Sequence, residues 1–224
     1  IRIFRDDYPK RFLHQLISSQ LDMDRMDYLQ RDCFFTGVAE GKIGSARIIK
    51  MLNVHNDKLV VEAKGIYSIE NFLIARRFMY WQVYLHKTSV AAEKMLVQIL
   101  RRAKELALRG ERLFASPALA YFLENRIDEN DFDDTALQHF VALDDTDVWS
   151  AIKVWSQHDD VVLGTLSRMF INRQLFKTMV CAPLTAAART DLLRRYAAPY
   201  AASVDRPADI GYERTVTTPT YRNP

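Results

Sequence analysis

Leu21-Asp22-Met23-Asp24-Arg25-Met26-Asp27-Tyr28-Leu29-Gln30-Arg31-Asp32-Cys33 mixes charge and hydrocarbon without a glycine or proline, so an α-helix is expected. At about 100° per residue, Asp24, Tyr28 and Asp32 fall at successive i+4 positions on one face, with Arg25 beside them. Met26, Leu29 and Cys33 form a neighbouring apolar face suited to a core. Asp27 and Arg31 sit elsewhere and read as a surface ion pair. On spacing alone the Asp24–Tyr28–Asp32 stripe has two readings: a solvated helix face carrying one aromatic, or one wall of a polar site.

A second segment bears on that choice. From Ser68, with Glu70 close behind, a helix is expected to run to about His86, its N-terminus capped by the serine. Phe72, Leu73, Phe78, Met79, Trp81 and Val83 make it apolar on most sides, so it should be central and buried. Arg76, Tyr80, Tyr84 and Lys87 nevertheless share one face of it. Cations and phenols on a buried helix need partners, because burying them alone is costly. Phosphate oxygens or carboxylates would serve. Facing the first stripe, this one would make a site for a metal, a sugar and a phosphate chain. A buried polar network that only ties the two helices together is the alternative.

Working outward, Phe12 to Phe35 reads as helix broken near Gln20, and Gly37, Gly41 and Gly44 mark a loop. Ser45 is a candidate cap for a short helix, Ala46 to Leu52. Lys58 to Ala63 is valine-rich and partly alternating, which predicts a strand paired with Met51 to Val54 across the Asn56-Asp57 turn. A long helix is expected from Val90 to Leu108, stopped by Gly110, with Arg101, Arg102 and Lys104 on a solvated face. Pro117–Asn125, Asp133–Leu143, Thr146–His158, Val161–Asn172 and Ala186–Ala198 also have helical periodicity. The acidic run Asp128 to Asp134 reads as a loop and helix N-terminus, and lacks the ligand spacing of a calcium loop. The tail after Pro207 reads as an extended arm. The expected fold class is all-α with one minor β-hairpin, in two regions, residues 1–110 and 111–224.

Composition agrees. The 224 residues are 49% hydrophobic and 26% charged, enough for a sizeable core. A formal charge of +3 argues against a nucleic-acid partner, which calls for more concentrated basic charge. No apolar run approaches the roughly 20 residues of a membrane span, so no membrane partner is expected. Cys33 and Cys181 stand apart and read as thiols of a reducing, cytoplasmic compartment. No signal peptide is visible, and the start at Ile1 leads us to expect further sequence upstream.

The segment from Ile17 to Asp32 closely resembles one found in HD-superfamily deoxynucleoside triphosphate triphosphohydrolases, and Ala75 to Lys87 resembles a second. Asp144-Asp145 followed by Asn172 to Lys177 resembles a third, less specific pattern, and the order of the three matches. The resemblance covers roughly the first 180 residues. It implies an HD-domain-like helical bundle, with residues 1–110 the C-terminal part of the catalytic domain and 111–224 a helical C-terminal region. It implies a divalent metal held by a His, a His-Asp pair and a distant Asp. Only the last is matched here, by Asp24, and no His-Asp dipeptide precedes it. His158-Asp159 comes too late in the chain and reads as incidental. By the same resemblance, Arg25 and Arg76 contact a triphosphate, Tyr28 and Tyr84 lie at the sugar, and Asp32 binds the 3′-hydroxyl. Tyr84 would occupy the space of a 2′-hydroxyl. The implied reaction is metal-assisted attack of water on the α-phosphorus, giving deoxynucleoside and inorganic triphosphate. The chain alone is expected to be inactive, no catalytic acid or base being identifiable in it, and the family implies a homo-oligomer. An HD hydrolase of another phosphorylated compound is the first alternative, and a non-catalytic helical oligomerisation or regulatory module the second.

Overall fold

The computed structural model describes residues 1–176, 178 and 185–197. Lys177, Cys181, residue 198 and the arm expected after Pro207 lie outside the described residues. Two compact units divide at Ser89, Ile1–Ser89 and Val90–Pro224. The sequence alone suggests a division at residue 110. The helix between these points joins the second unit because its apolar stripe packs there.

In the first unit α1 spans Phe12–Ile17 and α2 spans Met23–Thr36, so the break expected near Gln20 is present. Gly37 ends α2 at φ 72°, a left-handed conformation that glycine adopts without strain. α3 follows at Ser45–Met51. Ser45 does not cap it. Gly44 holds that position, and the Ser45 hydroxyl donates to Gln30 Oε1 at 3.0 Å. Strands β1 (Leu52–His55) and β2 (Lys58–Val61) pair antiparallel, Leu52 opposite Val61 and His55 opposite Lys58. Asn56 and Asp57 both have positive φ, 49° and 59°, as a type I′ turn requires.

α4 runs Ile66–Met79 and continues as one π turn, Tyr80–Tyr84. Two expectations change here. The helix starts before Ser68, with Gly65 rather than the serine at its N-cap. It is also not buried all round. Phe72, Ala75 and Met79 are fully enclosed, while Leu73, Ile74 and Trp81 are each at least half exposed. Met26 and Leu29 of α2 pack on the enclosed face with Ile43 and Ile48. Full burial of a side chain such as Leu29 or Phe72 stabilises the unit by about 1.5–3 kcal/mol.

The second unit is built on α5, Lys87–Leu108. Gly110, at φ 90°, donates to the Ala107 carbonyl, and Glu111 donates to that of Leu106, which closes the helix. α6 (Pro117–Glu124), α7 (Asp134–Ala142), α8 (Asp145–Trp155), α9 (Val161–Ile171) and α10 (Ala186–Ala197) follow. Ser116, Asp133, Asp144 and Asp160 cap α6 to α9 with their side chains. Met95, Ile99, Ala103 and Leu106 of α5 form one core with Leu119, Leu123, Ile152, Trp155, Leu163 and Leu166. Arg102 is not on a solvated face as expected. It is buried, and its guanidinium donates to Asp160 at 2.6 and 3.1 Å and to Glu105 at 3.2 Å. The all-α class with a minor hairpin holds for the described residues.

Candidate functional site

The site is assembled within the first unit by α2, the break before it, and the end of α4. Asp22 starts α2 by accepting from the Arg25 backbone N–H at 2.7 Å. With Met26 and Leu29 anchored in the core, the helical period fixes where Arg25, Tyr28 and Asp32 project. On α4 the anchors are Phe72, Ala75 and Met79, and they bring Arg76 into a buried position beside the core. The π turn then resets the phase of the helix before Tyr84.

These two elements meet. The Tyr84 hydroxyl donates to Asp32 Oδ2 at 2.6 Å. The Tyr28 ring stands edge-on to Tyr84, with centroids 6.0 Å apart. The Tyr80 ring is also edge-on to Tyr84, with centroids 5.2 Å apart. The Arg76 guanidinium lies 5.7 Å from the Tyr80 ring centre, a cation–π contact. Its Nη1 donates to Gln20 Oε1 at 2.8 Å. Arg25 Nη1 reaches back to Asp22 Oδ2 at 3.3 Å.

The electrostatics follow from this packing. Burial pushes the Tyr84 phenol up, and the hydrogen bond to Asp32 and that carboxylate's charge push it further. Burial also raises Tyr28, reinforced by Tyr80, while the positive charges of Arg76 and Arg25 pull it down. Both guanidiniums are therefore near enough to Tyr28 to act on it. Arg25 Nε is buried and has no hydrogen-bond partner among the described residues.

Of the residues singled out in the sequence, Tyr28, Asp32, Arg76 and Tyr84 are joined in one cluster, Arg76 through Tyr80, while the Arg25 guanidinium on the same helix as Tyr28 turns back to Asp22. Asp24 is exposed at the start of α2, and its side chain makes no hydrogen bond or ion pair among the described residues. Lys87, expected on the face of Arg76, instead begins α5. Sequence reasoning missed Gln20 and Asp22 as partners of the two arginines. Asp22 carried a legible signal, an aspartate just before a periodic helix. Gln20 carried none, because its partner is 56 residues away.

A metal is a separate matter. Among the described residues no group of three or more His, Cys, Asp and Glu side chains is placed to hold an ion. Asp24 alone does not fit such a group. His158 is occupied structurally, accepting from the Asp160 N–H at 3.0 Å and lying 3.3 Å from Glu111. Asp27 and Arg31 form the expected exposed ion pair at 2.6 Å. A cavity of about 750 Å³ in the second unit is lined by Lys104, Phe122, Phe132 and Phe140 among others and contains none of the cluster's residues. No helix among the described residues is long and apolar enough to cross a membrane.

Residues 43–122 match the family model described as the HD associated region. The chain is similar to an uncharacterised Bacillus subtilis protein, YwfO, at 37% identity over 171 residues, covering 76% of this chain and 38% of that protein. An uncharacterised Mycoplasma pneumoniae protein is 33% identical over 178 residues, covering 74% and 40%. Among solved structures, a phosphohydrolase from Bacteroides thetaiotaomicron superposes with a TM-score of 0.87 at 56% identity, covering 93% of this chain and 52% of that one. A hypothetical protein from Aquifex aeolicus gives 0.60 at 26% identity, covering 88% and 46%. The chain thus spans about half or less of the length of each of these four proteins.

Proposed function

We propose, from the support that the HD associated region match and the phosphohydrolase neighbour give to an HD-type phosphohydrolase, that this chain supplies the substrate-binding part of a deoxynucleoside triphosphate triphosphohydrolase. The observation that supports the proposal is the contact of Tyr28, Asp32, Tyr84 and, through Tyr80, Arg76, with Arg25 one turn before Tyr28 on α2. Arginine donates in a planar fork that matches the oxygens of a phosphate chain. A carboxylate already accepting from a phenol is suited to receive a sugar hydroxyl as well, since each of its oxygens takes more than one hydrogen bond. Tyrosine rings packed edge to face are stiff, and a stiff wall discriminates between sugars by shape.

In this reading Arg25 and Arg76 hold the triphosphate, Tyr28 and Tyr84 flank the deoxyribose, and Asp32 takes its 3′-hydroxyl. Tyr84 fills the space that a 2′-hydroxyl would need. The reaction releases inorganic triphosphate from the deoxynucleoside. A divalent metal enters the proposal through Asp24 alone, and a single carboxylate does not make a metal site, so no step is drawn through one. The chain by itself is accordingly proposed to bind substrate without turning it over. A homo-oligomer belongs to the same proposal, supported by Phe34 and Phe35, which stack edge to face while 81% and 79% exposed.

The test follows inorganic triphosphate release from deoxynucleoside triphosphates, with a divalent metal, by the full-length protein, by its Asp24→Ala variant and by the 224-residue chain. Turnover by the unaltered full-length protein alone is expected. Robust turnover by the short chain, or indifference to Asp24→Ala, refutes the assignment. Activity confined to another phosphoester refutes the substrate and keeps the hydrolase.

A further inference from the structure

We infer that Gln20 is a positioning residue, which aims Arg76 at the phosphate chain of the proposed substrate; the inference rests on the phosphate-binding reading of the cluster. Gln20 lies in the break between α1 and α2, where no helical hydrogen-bond pattern dictates the backbone. Its Oε1 accepts from Arg76 Nη1 at 2.8 Å. The contact joins the entry to α2 with the last turns of α4 and, together with the Tyr80 ring, holds a guanidinium whose side chain is buried.

The same short break also holds the second arginine, there through a carboxylate that pairs with its Nη1 at 3.3 Å. Asp22, only 4% exposed, accepts from both the backbone and the side chain of Arg25. Two residues apart in sequence, Gln20 and Asp22 thus each hold one arginine, and both arginines act on the Tyr28 phenol. The buried Nε of Arg25, without a partner among the described residues, shows that this end of the cluster still has a hydrogen bond to offer. An anionic oxygen is the acceptor whose charge suits it.

Arginine is a costly residue to immobilise, since its long side chain has many rotamers to lose. A guanidinium ordered before the ligand arrives loses fewer of them on binding. The chemistry of the partner matters too. An amide oxygen accepts one N–H and leaves the charge of the guanidinium intact. A carboxylate in its place would form a charge-assisted pair and compete with phosphate for the same fork. Gln20 therefore orients Arg76 without neutralising it.

The experiment titrates the 224-residue chain with inorganic triphosphate, free of metal, by calorimetry, and measures Tm for each variant. The unaltered chain is expected to bind. Gln20→Glu is expected to bind at least tenfold more weakly while its Tm is unchanged or higher, because a stronger Glu–Arg pair is gained as the site is lost. Gln20→Met, which keeps the length and removes the acceptor, is expected to bind several-fold more weakly. A residue with only a structural role would lower Tm and leave affinity in step with it, so affinity falling while Tm holds is the supporting result. Triphosphate binding unchanged in both variants overturns the positioning role and leaves the phosphate site standing. No binding by the unaltered chain overturns the phosphate site and this inference together.

Discussion

Replacing Asp160 with alanine should cost the second unit about 3–5 kcal/mol, because it strands the buried Arg102. The Arg102 side chain is 8% exposed and that of Asp160 is 15% exposed, so the pair is largely withdrawn from water. Asp160 accepts twice from Arg102, at 2.6 and 3.1 Å, and once from the Leu163 backbone N–H at 2.8 Å. Alanine removes all three bonds and leaves a buried guanidinium with Glu105, 36% exposed and 3.2 Å away, as the remaining partner in this ion-pair network. Breaking a buried pair from one side costs about 3–5 kcal/mol. Loss of an N-cap by itself accounts for about 1 kcal/mol. Urea unfolding followed by Trp155 fluorescence reads the change, since Trp155 is 1% exposed in the same core. A Tm fall of roughly 10 °C or more should accompany it. Asp160→Ala combined with Arg102→Met should recover much of the loss, because no unpaired charge remains buried. The pH dependence has a fixed sign. Burial raises the Asp160 carboxyl, but the Arg102 hydrogen bond and charge outweigh it and leave it below the ordinary value. Its contribution is present above about pH 4 and is lost as pH falls through the depressed folded value. A loss under about 1 kcal/mol for Asp160→Ala, or a double variant no more stable than the single one, would refute the account.

Three further outcomes are expected. Gly164→Ala should destabilise α9 by about 1–3 kcal/mol in chemical denaturation, because the added Cβ would meet the His158 carbonyl oxygen at 2.5 Å, outweighing alanine's better helix propensity. An ultraviolet phenolate titration should show Tyr28 and Tyr84 ionising above the ordinary tyrosine range, and Tyr84→Phe should remove one of the two late steps. Since both phenols are raised on folding, their stabilisation is present below about pH 10 and is lost as pH rises through their folded values. Replacing Phe34 and Phe35 with serine should shift the mass measured by light scattering toward the monomer, and an unchanged mass would remove these rings from the proposed oligomer contact.

What the sequence disclosed depended on how local the cause was. The hairpin was legible because Asn56-Asp57 is a turn signal acting over two residues, and the helices after Gly110 because their apolar residues recur with the helical period. The polar face of Asp32 was legible through periodicity on α2, while the π turn that brings Tyr84 to it left no mark in the α period of the second helix. Arg102 was misplaced because a basic cluster resembles a solvated face until the distant Asp160 is known. Gln20 was invisible for the same reason. The half-exposed state of Leu73, Ile74 and Trp81 was hidden because hydrophobicity states what a side chain favours, not whether a neighbour is there to cover it.

The π turn at Tyr80–Tyr84 changes how this helix must be aligned and edited. A turn closed by a bond from Leu85 N–H to the Tyr80 carbonyl, at 2.7 Å, holds one residue more than an α turn does. Counted along an unbroken helix, residues on its two sides are out of step by that one residue. Arg76 keeps the phase of the core behind it, while Tyr84 takes the phase that meets Asp32. A relative lacking one residue here would show a gap in an alignment and a different side chain opposite Asp32 in space. A single-residue deletion between Tyr80 and Tyr84 thus reaches the carboxylate without altering the residue that touches it.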